Sequence, residues 1–159
     1  MTINYHPIGL IHSPFQERAG MPIQPAGAAN IQGRVELFPE FTPGLQDLAG
    51  FSHIILLYHF HQVRETQLLV QPFMEGQVRG IFATRAPSRP NPIGLSIVKL
   101  LGIEQNVLRV ENIDILDGTP LLDLKPYVPE FDQQPAERVG WLEPLKGQVQ
   151  SHRADRRFE

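Results

Sequence analysis

The chain alternates short apolar stretches with polar, turn-rich breaks, and few stretches are long enough for a helix. The clearest pattern spans residues 31–37, where Ile31, Gly33, Val35 and Leu37 alternate with Gln32, Arg34 and Glu36. Period-two alternation puts the apolar set on one face of a half-buried strand. Residues 5–11 read as a first short strand that stops at Ser13-Pro14. Residues 15–30, with Gly20, Pro22, Pro25 and Gly27, read as irregular loop. Residues 38–50 read as a loop with a helical turn, because Leu45 and Leu48 are spaced for one. Residues 51–61 are mostly apolar and read as a central strand. Residues 77–83 and 93–101 read as two strands around a rigid polar loop. Residues 107–111 and 113–116 continue the pattern across a break at Asn112. Residues 121–127 form a last strand, whose end Pro126 confines to a sheet edge. Six or more short strands with turn signals predict an all-β domain, a barrel or a sandwich.

Composition narrows this to one domain. The 159 residues are 42% apolar and 19% charged, which suits a packed core rather than a disordered chain. Fifteen prolines and thirteen glycines spread along the chain disfavour long helices. The predicted division is a domain over residues 1–135, then a peripheral segment and tail over 136–159 anchored by Trp141. A net charge of −3 argues against nucleic-acid binding through bulk charge. A local basic patch stays open, with Arg153, Arg156 and Arg157 either supplying it or forming a solvated tail. With no cysteine, disulfides, thiolate zinc sites and a Cys nucleophile are excluded. The N-terminus lacks the charged and apolar regions of a signal peptide, and no apolar run approaches the ~20 residues that span a membrane. A soluble, cytoplasmic protein is expected.

The candidate chemistry gathers in four places. Residues 80–100 hold Arg85 and Arg89 among Pro87, Pro90 and Pro92. Prolines fix φ and stiffen the residues before them, so both guanidinium groups are pre-placed, either for a carboxylate or phosphate or merely to cap a structural turn. Residues 114–120 (Asp-Ile-Leu-Asp-Gly-Thr-Pro) read as a plain hairpin turn, or as a ligand loop in which Asp117 accepts hydrogen bonds and Gly118 admits close backbone approach. His53, His59 and His61 fall on one face of the central strand, but no further ligand supports a metal, and none is expected. Phe60 offers a stacking surface there instead. Lys125 and Tyr127 either leave the sheet as an edge strand or meet a polyanion as a minimal patch. Gly-x-Gly-x-x-Gly, Walker and Gly-x-Ser-x-Gly signatures are absent, which disfavours a Rossmann site.

Three of these segments, in order and spacing, resemble the TsaA-like (YaeB/TrmO) family. They are residues 80–96 (Gly-Ile-Phe-Ala-Thr-Arg-Ala-Pro-Ser-Arg-Pro-Asn-Pro-Ile-Gly-Leu-Ser), residues 48–62 ending Tyr-His-Phe-His-Gln, and residues 114–127. The resemblance covers roughly Tyr5 to Asp132. It implies a small β-barrel that binds S-adenosylmethionine, acts as a homodimer and methylates tRNA. The implied acceptor is the exocyclic nitrogen of threonylcarbamoyladenosine beside the anticodon. Carried over by motif, the cofactor contacts are Pro22, Gln24, His61, Gln62, Arg85, Leu95, Ile115, Leu116, Asp117 and Gly118. Ile23 stands where the family has an arginine. Some members carry a C-terminal domain thought to help hold tRNA, which this sequence is expected to lack. Its absence leaves another RNA, a small metabolite or a non-catalytic binding role as alternatives.

The implied chemistry needs orientation above all. Arg85 suits the carboxylate of the methionine moiety, Asp117 an amine or hydroxyl, and backbone near Leu95 and Gly118 the adenine. Arg89, Lys125 and Tyr127 are expected to face the anticodon loop, where unstacked bases are accessible. The sequence does not single out a general base; His61 and Asp117 are the candidates.

Overall fold

Six antiparallel strands close into a barrel, and a two-stranded ribbon stands beside it. The structure is a computed structural model and describes residues 1–73, 76–145, 151 and 153–155. In chain order the strands are β1 (Gly9–His12), β2 (Gln32–Leu37), β3 (His53–His59), β4 (Leu69–Val70), β5 (Arg79–Gly80), β6 (Ile93–Glu104), β7 (Val107–Glu111) and β8 (Thr119–Pro126). The barrel runs β1-β2-β7-β6-β3-β8 and closes because β8 pairs back onto β1. Closure leaves the barrel no open edge.

The alternating sequence supplies the inner lining. Val35 and Leu37 of β2, Ile54, Leu56 and Tyr58 of β3, and Leu108 and Val110 of β7 are buried, while their strand neighbours are more exposed. Leu45 and Leu48 sit in two 3₁₀ turns, Pro39–Leu45 and Leu48–Gly50, and reach the same core. The helical spacing expected over residues 38–50 is therefore present as 3₁₀ turns.

Three expectations need correction. The first strand begins at Gly9 rather than residue 5. Residues 77–83 do not form a strand. Only Arg79 and Gly80 pair, with Val70 and Leu69, and Ile81–Ala83 then coils into a 3₁₀ turn. The reason is local: Thr84 Oγ1 and Arg89 Nη1 both donate to the Ile81 carbonyl, which competes with a ladder. Residues 113–116 are loop as well. Asn112 takes a left-handed φ of 68° and turns the chain out of β7, so Ile113, Ile115 and Leu116 are buried outside any strand pairing. Pro126 stands on the local edge expected for it: it ends β8 opposite Ile54, and β1 pairs with β8 only as far as Leu121.

Beyond β8 the chain makes a short helix α1 (Pro129–Asp132) and a 3₁₀ turn over Gly140–Leu145. It also returns to the body of the protein. Trp141 Nε1 donates to the Ala83 carbonyl at 2.8 Å, and Arg153 forms a bridge with Pro22. Arg156 and Arg157 lie outside the described residues.

Candidate active site

A cavity of about 830 Å³ opens where β3 ends and β6 begins. Its wall draws on residues 18–24, the end of β3, Pro72 and Phe73, the loop after β5, the start of β6 and the loop before β8, with Trp141, Leu142, Ala154 and Asp155 added from the C-terminal segment. That size and mixed lining match a site for one nucleoside-sized ligand.

The close meeting of β3 and β6 depends on Gly94. It stands opposite Tyr58 in register, and a Cβ at Gly94 would collide with the Tyr58 ring. The missing side chain lets that ring lie flat across the strand pair. Phe60 meets Tyr58 edge-on, with ring centroids 5.5 Å apart. Tyr58, Phe60 and Phe73 give the cavity an aromatic side.

The proline-rich loop is braced from within by Arg89. Its Nη1 donates to the carbonyls of Thr84 at 2.9 Å, Ile81 at 3.2 Å and Ala86 at 3.5 Å. The Phe82 ring lies 5.8 Å from the Arg89 guanidinium and is 76% exposed. Three carbonyls on one guanidinium hold the loop as a unit, and charge-assisted bonds of this kind are the strong ones. Beneath the loop, Val70, Ile81 and Ala86 form a small second core. Arg89 thus organises the loop while lining the cavity.

Arg85 sits on the same loop. Its Nη1 donates to Gln24 Oε1 at 3.0 Å, which ties the loop to the segment before β2. Pro22, Gln24, His61, Gln62, Arg85, Leu95, Ile115 and Leu116 all line the cavity, and so does Ile23. His61 is exposed at the rim. Its pKa falls below the usual histidine value, first through desolvation and then through the neighbouring His59 and Arg18.

Asp117 and Gly118 are not part of the lining. The Asp117 carboxylate accepts from the Ser13 amide at 3.0 Å and from Gln16 Nε2 at 3.3 Å, and lies 3.5 Å from His12 Nδ1. Desolvation pushes its pKa up, but these groups together outweigh that and hold the carboxyl below its ordinary value. The side chain therefore pins the residue 117–118 turn to the chain after β1. Gly118 serves the same turn, with a φ of 73° and its N–H on the Ile11 carbonyl.

Lys125 and Tyr127 are carried to the other end of β3. Lys125 pairs in register with Ile55, while the cavity adjoins Tyr58 and Phe60. Lys125 Nζ bonds Asp123 Oδ2 at 2.7 Å, and Tyr127 packs edge-on to His53. Among the described residues, no group of three or more His, Asp or Glu side chains could hold a metal ion.

Among the described residues two carboxylates line the cavity, Asp155 near the C-terminus and Asp114 in the loop before β8, and Asp114 is the one built into a buried hydrogen-bond network. Its Oδ1 accepts from Ser96 Oγ at 2.7 Å, and Ser96 Oγ lies 3.0 Å from the Tyr58 hydroxyl. The serine hydroxyl has one proton and donates it to Asp114, so Tyr58 is the donor to Ser96. Burial pushes the Asp114 pKa up to about 6 despite the Ser96 bond, the residue's own amide and Arg85. The Tyr58 pKa rises too, first through burial and then through Asp114. A carboxylate set inside the apolar run Ile113-Asp-Ile-Leu116, opposite in phase to the buried Ile113 and Ile115, is a signal that reading residues 114–120 as a turn overlooks.

Residues 10–133 match the tRNA-methyltransferase O N-terminal domain. The chain belongs to this family. The family match agrees with the three sequence blocks and with the closed barrel they implied. A Pyrococcus abyssi protein named "Probable S-adenosyl-L-methionine-binding protein" is 55% identical over 158 residues, covering 99% of this chain and 86% of that protein. The Escherichia coli tRNA (adenine(37)-N6)-methyltransferase is 34% identical over 144 residues, covering 84% of this chain and 61% of its own length. The crystal structure of TrmO from Pseudomonas aeruginosa superposes with a TM-score of 0.74 at 43% identity, covering 89% of this chain and 63% of that one. The chain thus spans under two thirds of that enzyme and of that solved structure.

Proposed function

We propose that this protein transfers a methyl group from S-adenosylmethionine to N6 of the adenine beside a tRNA anticodon, with threonylcarbamoyladenosine as the acceptor. The observation that carries this reading is the convergence of eight motif-derived cofactor residues on one cavity. The cavity fits the cofactor chemically. Arg85, held against Gln24, suits a carboxylate; the aromatic and aliphatic side suits a purine; and Gln62 and Thr119 add polar contacts. When bound, the cofactor supplies an electrophilic methyl group on a sulfonium. The chain's own part is to orient it and to exclude water. In ideal cases orientation alone removes about 7–11 kcal/mol of barrier.

Exposed Phe82 beside the cavity mouth supports an unstacked base as the acceptor, since bases stack on such rings. The same reading includes a homodimer. Light scattering on the purified protein measures that assembly. No helix among the described residues is long and apolar enough to cross a membrane.

The test is transfer of labelled methyl from the cofactor to tRNA, followed by mass spectrometry of the nucleosides. Label in threonylcarbamoyladenosine is expected. Label in another RNA or in a small metabolite would favour the second reading, which the net charge of −3 keeps open. Binding without transfer would make the protein a cofactor-binding module. Arg85→Ala should weaken cofactor binding at least tenfold by calorimetry.

A further inference from the structure

The barrel holds a carboxylate that neither the fold nor the cofactor contacts account for. Asp114 lines the cavity, and Ser96 is its sole hydrogen-bond partner among the other described residues. That bond engages Oδ1, so Oδ2 receives no donor from another described residue. No cationic side chain among the described residues forms an ion pair with it. The charged and titratable groups around it are Tyr58 on β3, whose hydroxyl is committed to Ser96, and Arg85 on the proline-rich loop, which bonds Gln24. Arg18, His61, Arg89 and Asp155 line the same cavity, His61 at its exposed rim and Arg89 turned onto the loop carbonyls.

Resting on the methyltransferase reading above, we infer that Asp114 Oδ2 is the proton acceptor for the nitrogen that receives the methyl group. Tyr58 and Ser96 are the positioning residues that fix its orientation. The acceptor N–H bond breaks and its proton goes to Oδ2. The nitrogen lone pair forms the new N–CH₃ bond, and the pair of the broken C–S bond stays on sulfur. The carboxylate becomes a neutral acid, which a desolvated wall tolerates better than the anion. The proton then leaves through the cavity mouth.

A carboxylate is strong enough for this proton, because the nitrogen N–H becomes acidic as the methyl group is transferred. A base near pH 6 is ionised at neutral pH, so the rate should fall on the acid side of that value.

The experiment compares wild type with Asp114→Asn and Ser96→Ala in single-turnover transfer to tRNA across pH 5–8.5, with cofactor affinity measured by calorimetry. Asp114→Asn is expected to bind the cofactor within about threefold of wild type. Its transfer rate should fall about 100-fold or more, and its acid limb should disappear. Ser96→Ala keeps the carboxylate but removes a bond that lowers its pKa. Its acid limb should therefore move to higher pH, a change that a purely structural role would not produce. Asp114→Asn that transfers at nearly the wild-type rate with the same acid limb overturns the role. So does loss of cofactor affinity in parallel with rate, which would make Asp114 a cofactor ligand. If wild type labels no tRNA, the function reading fails first and takes this role with it. If wild type is active and the variants are unchanged, only the role of Asp114 fails.

Discussion

Replacing Asp114 by asparagine should make the protein more stable at neutral pH. Burial raises the Asp114 pKa from 3.8 to about 6, roughly two units. At about 1.36 kcal/mol per unit, the ionised carboxylate costs the folded state up to about 3 kcal/mol at neutral pH. The sign follows from proton counts. Between pH 4 and 6 the folded chain holds more protons at this site than the unfolded chain. The group's contribution is therefore most favourable below pH 4 and is lost as pH rises through 6. Asparagine has the same shape, carries no charge and still accepts the Ser96 hydrogen bond. We expect Asp114→Asn to gain about 1–3 kcal/mol at pH 7.5, or several degrees in Tm for a chain of this size. The gain should shrink toward zero at pH 4. Urea denaturation of both proteins at pH 4, 5, 6 and 7.5 measures it. A variant less stable than wild type at pH 7.5, or a difference that does not change with pH, would refute the reasoning.

Asp117→Asn should behave in the opposite way. Its carboxyl is held below the ordinary value by Ser13, Gln16 and His12, so its stabilisation is present at neutral pH and lost on acidification. The variant should be about 1 kcal/mol less stable at pH 7, and the gap should close as pH falls below 4. Arg89→Ala removes three carbonyl contacts from the proline-rich loop and should cost about 2–3 kcal/mol in thermal denaturation. An unchanged Tm would mean the loop stands without its brace. Gly94→Ala forces the Tyr58 ring off the strand pair and should cost about 1–3 kcal/mol. It should also disturb near-ultraviolet circular dichroism, and a native spectrum at full stability would count against the packing described.

The strands that alternate cleanly were readable because a period of two is a local property. Residues 31–37 and 107–111 needed only their own apolar spacing, whereas in residues 93–101 the exposed Ile93 and Leu95 alternate with buried Gly94, Ser96 and Val98, the reverse of what spacing suggests. The strand expected over 77–83 failed because Thr84 and Arg89 bond the Ile81 carbonyl, a competition that no period reveals. The two arginines of that loop looked equivalent in sequence. Folding separates them: Arg85 bonds Gln24 across the cavity wall, while Arg89 turns inward onto the loop's own carbonyls.

By itself the sequence determined the all-β class, the rigidity of the arginine loop, and a family resemblance strong enough to name eight residues that meet at one cavity. Barrel closure, the placement of Lys125 and Tyr127 at the far end of β3, and the exchange of Asp117 for Asp114 as the carboxylate of this loop that reaches the cavity were decided by tertiary structure. The physical reason is range. Whether a carboxylate anchors a turn or stands desolvated in a cavity depends on partners far along the chain. For Asp117 that partner is Ser13, 104 residues away, and for Asp114 it is Ser96, reached only because β6 and the loop before β8 fold together.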